Sequence, residues 1–275
     1  MIRAQDWRVL WAVVRKEWRV FLRYPLNAVM RIVQPLMWLA PVYFMGLSFS
    51  VDGEPVGFAA STGTSDFIAF LLLGNVVSSY VSAVLWGIGF SLKQEMEQGT
   101  LESLWLTPNS RLWLLVGRST VSVLITGLNT IGVGIVVYFL FGFEVTGSIA
   151  AALLVLVPMV IGLYGFGVAY AGIVLYLREA NTLSDVGGYV LELLTGVNFP
   201  VTALPRALMV VGLALPMTYA IDAMRALLLG TRPLVAVPVA FAIVIVAMAG
   251  FLWLGRAVFD RIDARVRALG TLSTH

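Results

Sequence analysis

Long charge-free stretches recur along the chain, separated by short polar segments. A helix needs about 20 apolar residues to cross a hydrocarbon layer of roughly 30 Å, and residues 67–92, 119–143, 145–177 and 233–255 provide that length without a single charge. Residues 32–51 do so too, with Gln34, Pro35 and Pro41 marking a kinked or partner-packed span. A sixth, less regular region runs over 186–200 and contains Glu192, Asn198 and Pro200. The pattern predicts an all-α integral membrane protein with six transmembrane helices, folded as a single transmembrane domain over residues 1–275.

Ahead of the first span the period changes. In "QDWRVLWAVVRKEWRVFLR", residues 5–23, a 100° turn per residue gathers Trp7, Leu10, Trp11, Val14, Trp18 and Phe21 on one face. Arg8, Arg15, Lys16, Arg19 and Arg23 occupy the adjoining sector. Indole rings favour the headgroup level and arginines favour anionic lipid, so the segment 5–24 reads as an amphipathic helix lying on the membrane. Its role as a topology anchor or as a mechanical part of the bundle stays open. Beyond the first span, the loop 52–66 is rich in Gly, Ser and Thr, carries three carboxylates, and is too short to fold as an external domain.

Polar positions inside the spans have their own spacing. Asn75, Ser78, Ser79, Ser82, Trp86 and Gly89 share one face of the second span, and Ser119, Ser122, Thr126, Asn129 and Thr130 repeat the device on the third. Such stripes turn away from lipid, toward close helix packing or an aqueous path. The glycines of 162–172 favour close backbone approach in the fourth span. Around Glu192 the apolar run is broken by Asn198, Phe199 and Pro200, and only 15 charge-free residues separate Arg206 from Asp222. That is short for a crossing, so 199–230 reads as a re-entrant or external helical hairpin before span 6, with Asp222 and Arg225 near the external surface. Glu192 is either a functional intramembrane carboxylate or a helix-end group paired with a residue such as Arg206; a buried carboxylate needs a partner in either case.

Composition confirms the class: the chain is 60% hydrophobic and 12% charged, with a mean hydropathy of +0.92. The net charge of +3 matters less than its placement. Of the 18 Lys and Arg residues, 15 fall in segments that share a side with the amino terminus, and only Arg206, Arg225 and Arg232 fall opposite. By the positive-inside rule both termini are expected in the cytoplasm. The absence of cysteine excludes disulfides, thiolate metal sites and Cys nucleophiles, and the single histidine, His275, is terminal. No cleavable leader, no metal site, no catalytic residue and no nucleic-acid partner is expected. A phosphate-cradling loop needs a lysine after a glycine, and neither Lys16 nor Lys93 has one.

One segment stands apart, "KQEMEQGTLESLWLTP" at 93–108, with Glu95, Glu97 and Glu102 between two uncharged spans. Gly99-Thr100 interrupts a helical tendency, and Leu101, Leu104 and Trp105 form an apolar patch. An acidic loop with such a patch runs against the basic bias of cytoplasmic loops and suits a docking role. "EMEQGTLESLWLTP" resembles the E-x-E-x-G-T-L-E-x-L-x-x-T-P signature in the first cytoplasmic loop of type-2 ABC exporter membrane subunits, and the resemblance extends over most of the chain.

That resemblance implies a permease subunit of an ATP-driven exporter, paired with a second membrane subunit as a homodimer or with a paralogue. Two copies of a separate ATPase would dock on a coupling helix, here Glu95, Glu97, Gly99, Thr100, Leu101, Glu102 and Leu104. ATP and Mg would reside in that partner, leaving this chain without a cofactor. The segment 5–24, with Trp7, Trp11, Trp18, Arg15 and Arg19, would correspond to the family's connecting helix. A substrate path between spans two and five would make Asn75, Ser78, Ser82, Glu192 and Asn198 candidates for its lining. Cargo would be amphipathic, lipid-linked, glycan or drug-like, moved outward across the cytoplasmic membrane. The alternatives are a gradient-driven transporter or a lipid scramblase acting alone.

Overall fold

The computed structural model describes residues 4–48, 50–51, 54–55, 58–64, 66–90, 93, 97–98, 111–142, 147–177 and 181–268. Helix α1 (Ala4–Arg23) contains the Trp and Arg pattern, and α2 (Pro25–Ser48) starts at a proline, which suits a first helical turn because its missing N–H has no partner there. A minimal antiparallel ladder follows, Ser50–Val51 against Glu54–Pro55, then the short α3 (Phe58–Thr62). Asp66 caps α4 (Phe67–Leu85) by accepting from the Ala69 N–H at 2.9 Å. The next five residues, Trp86–Phe90, continue the helix as a π-helical turn.

The second half is built from α5 (Arg111–Phe141), α6 (Ile149–Leu177), α7 (Asn181–Thr195), α8 (Arg206–Leu213), α9 (Pro216–Leu229) and α10 (Val237–Ala268). Among the described residues four stretches combine the length and apolarity of a crossing: Phe67–Gly89, Leu115–Leu140, Ile149–Leu177 and Val237–Arg265. Helices α8 and α9 meet at 86° and add a fifth only if counted together as one broken span. Their corner is held by the Thr218 hydroxyl, which donates to the Gly212 carbonyl at 2.6 Å, and α9 ends at Gly230 with a left-handed φ of 67°.

The core lies where α4, α6, α9 and α10 converge, on residues such as Val84, Met159, Leu163, Met224 and Val244. Helices α6 and α10 approach backbone to backbone. A Cβ on Gly255 would collide with the Gly165 carbonyl, and one on Gly162 with Met248, so these positions admit only glycine without displacement. The outward faces of α5, α6 and α10 carry exposed Leu, Ile, Val, Tyr and Trp side chains, as surfaces that meet lipid should.

Candidate functional site

The polar stripe of α4 opens onto a cavity of about 1090 Å³. Asn75, Ser78, Ser79 and Ser82 line it from α4, and Trp86 from the π-helical turn. Ser122 and Thr126 face them from α5, and Glu192 and Tyr189 from α7. The sequence-derived stripes divide here. Gly89 turns away and lies buried against Tyr170, Ser119 is buried, and Thr130 donates to the Thr126 carbonyl of its own helix at 2.9 Å.

Glu192 does not meet Arg206, which is exposed on α8; its carboxylate accepts a hydrogen bond from the Asn198 side-chain amide, Nδ2 to Oε1 at 3.3 Å. Asn198 is outside the cavity lining and acts on it through that bond. Within α4, the Ser79 hydroxyl donates to the Asn75 carbonyl at 2.8 Å, so Ser79 is tied to its own backbone.

Residues that sequence reasoning missed supply the remaining walls: Lys16, Glu17 and Val20 of α1, Arg31, Gln34 and Pro35 of α2, Arg118 of α5, and Gln98. Their heights follow from close contacts between helices. Gly87 lies against Ser119 and Ser122, each within 3.2 Å of a Cβ placed there, so Arg118 is level with the Trp86 end of α4. Val13 fills the notch at Gly117, which brings Lys16 and Glu17, one turn further on, to the same end. Ile32 instead fills the notch at Gly132, 14 residues beyond Arg118. At 1.5 Å per residue that is about 21 Å along α5, past the midpoint of the Leu115–Leu140 stretch. Arg31 therefore stands well inside the bundle and not at its edge, where the charge count had placed it. A sequence signal existed: Arg31 is the lone charge between Arg23 and Asp52.

A second arginine, this one buried, lies at the Phe70 end of α4. Arg225, 4% exposed, is enclosed by the fold at the start of α4, the end that follows the loop 52–66. Its guanidinium donates to the Phe70 carbonyl from Nε and Nη2 at 3.1 and 3.0 Å, to Gly196 O from Nη1 at 2.8 Å, and to Val197 O from Nη2 at 2.5 Å. The same group stacks on the Phe70 ring, 3.4 Å from its centroid. Gly74 makes room for this joint, since a Cβ there would strike the Val197 carbonyl. Asp222 accepts from the Leu234 N–H at 2.7 Å and so ties α9 to the segment leading into α10. Arg225 fixes the turn at 196–197, and the next residue is the Asn198 that holds Glu192.

Of the seven proposed docking residues only Glu97 is described, exposed and 3.9 Å from Lys93; Glu95, Gly99, Thr100, Leu101, Glu102 and Leu104 lie outside the described residues. On α1, Arg15, Arg19 and Trp11 are exposed, Trp11 by 61%, while Trp18 is partly buried beside Phe21; the Trp7 side chain lies outside the described residues.

Apolar helices long enough to span a bilayer, enclosing a polar cavity, define a multi-pass membrane permease. Residues 8–229, well over half of the chain, match the family described as ABC-2 type transporter, and the chain belongs to that family. A comparison with curated proteins gave no match. Members of this family are membrane subunits that typically pair with an ABC ATPase. The matched region runs from within α1 to the end of α9, and includes every wall of the cavity.

Proposed function

We propose that the chain is the permease subunit of an ATP-driven exporter in the cytoplasmic membrane, and that the 1090 Å³ cavity is its substrate path. Six spans would comprise α2, α4, α5, α6, α7 with the turn that follows it, and α10, with both termini in the cytoplasm as the placement of 14 of the 18 basic residues, Arg31 set aside, supports. The observation that carries the proposal is convergence. Polar side chains from α2, α4, α5 and α7, scattered over 162 positions from Arg31 to Glu192, line one cavity inside otherwise apolar helices.

Energy enters from a partner ATPase that holds ATP and Mg and docks on Glu95, Glu97, Gly99, Thr100, Leu101, Glu102 and Leu104. Gln98 belongs to that same connection and also lines the cavity, so a push on the loop has a direct route to the path. Helix α1 supplies a second lever, because it packs on α5 at Gly117 and places Lys16 and Glu17 in the cavity wall. Closure of the ATPase dimer would tilt α4 and α5 through these two contacts. A homodimer places two such paths side by side.

Vesicles containing this chain and its ATPase test the reading. Transport of amphipathic cargo is expected to require ATP and to be lost when residues 95–104 are replaced by a flexible linker. Transport by this chain alone that vanishes when the proton or sodium gradient collapses would replace it with a gradient-driven transporter. Bidirectional movement without ATP or gradient would replace it with a scramblase.

A further inference from the structure

We infer that the cavity selects amphiphiles with an anionic, phosphate-like head, recognised by Arg31; this names a substrate class for the path proposed above and rests on that reading. The lining holds three cations and two carboxylates, and the carboxylates are already engaged. Glu17 lies 3.1 Å from Lys16, and Glu192 accepts from Asn198. Arg31 differs from both: among the described residues no hydrogen bond or ion pair reaches its guanidinium, which opens into the cavity beside Gln34 and Asn75.

A cation at this height is costly unless water or a counter-charge meets it. Its planar fork is suited to bidentate contact with phosphate or carboxylate oxygens. The cavity also has an order along its length. Arg118 and the Lys16–Glu17 pair stand at the Trp86 end and Arg31 about 21 Å further along α5, so the cavity carries net positive charge at both heights. Ser78, Ser82 and Thr126 offer hydroxyls between them, while Val20, Pro35 and Ala83 give apolar wall. A free phosphate ion would leave most of 1090 Å³ unused, whereas a head with an attached chain fits both kinds of surface.

The test uses the full chain in nanodiscs of zwitterionic phosphatidylcholine, titrated with two fluorescent probes of one alkyl length, one phosphate-headed and one trimethylammonium-headed. Saturable binding of the phosphate probe at least about tenfold tighter than the cationic one is expected. Arg31→Gln is expected to erase most of that preference, Arg31→Lys to keep part of it, and Arg232→Gln, outside the cavity, to leave it intact. Equal binding of the two probes by the unaltered chain overturns the inference without recourse to any variant, and so does an Arg31→Gln chain that keeps the preference. Repeating the titration with phosphatidylglycerol in the disc separates the sources: competition for the site identifies bilayer lipid as an occupant, and undiminished binding identifies a dedicated cargo head; either result upholds the anionic selectivity. Where the phosphate probe binds but ATP does not move it in vesicles with the ATPase, the exporter reading fails and the selectivity stands. Where ATP moves both probes alike, the exporter reading stands and the selectivity fails.

Discussion

Arg225 and Arg31 are both arginines within the height of apolar helices, yet their surroundings are opposite. Three backbone carbonyls and the Phe70 ring enclose Arg225, whereas Arg31 faces a large cavity and no described residue bonds its guanidinium. Removing a charge from water costs several kcal/mol, as an order of magnitude, unless hydrogen bonds replace the lost solvation. At Arg225 the fold supplies those bonds, so the residue is a structural joint between α4, the 196–197 turn and α9. At Arg31 the fold withholds them, and the residue stays available to something that enters. Elsewhere in the bundle close packing is achieved by glycine, as at Gly165 and Gly255.

The largest difference between the two sites should appear in stability. Arg225→Gln strips charged donors from three carbonyls and is expected to cost about 3–5 kcal/mol, read as a sharp fall in the thermal midpoint of the purified chain. Arg31→Gln is expected to shift stability by no more than about 0.5 kcal/mol while abolishing selective binding. Equal midpoints for the two variants would erase the contrast. Asn198→Ala comes next: loss of its bond to Glu192 is expected to cost about 1 kcal/mol and to raise the transport KM a few-fold with kcat unchanged. An unaltered KM would separate Asn198 from the path. The smallest effect is expected at Ser79→Ala, less than about 0.5 kcal/mol, because its hydroxyl serves the Asn75 carbonyl of its own helix. A loss of transport there as large as at Arg31 would mean that the stripe, and not the cation, selects cargo.

How far the sequence reaches can be judged from the same residues. Asn75, Ser78 and Ser82 were legible because three- and four-residue spacing places them on one side of one helix. Glu192 is legible as a polar group in an apolar run, but its partner Asn198 is not, since a turn at Gly196 brings the two together. Arg225 reads as half of an i, i+3 pair with Asp222; the carbonyls of Phe70, Gly196 and Val197 that it also binds carry no trace in side-chain patterning. Arg31 was counted as a flank of the first span because charge counting assigns basic residues to membrane edges. The contact of Ile32 with Gly132 and its packing near Val133 show how deep Arg31 stands. The docking segment is the reverse case, conspicuous in sequence, with Glu97 the one described residue of its seven proposed contacts.

Cysteine is absent from the chain, which permits a direct test of the cavity as an aqueous, cargo-bearing path. Single cysteines at Ser78 and Ser82, and at the neighbouring core position Val77, which is 1% exposed, would be reacted with a membrane-impermeant methanethiosulfonate reagent, with and without phosphate-headed cargo. The expected result is fast modification of Ser78→Cys and Ser82→Cys, slowed by cargo, beside negligible modification of Val77→Cys. If the two serine positions reacted no faster than Val77→Cys, or reacted equally fast with cargo present, the cavity would not be the path.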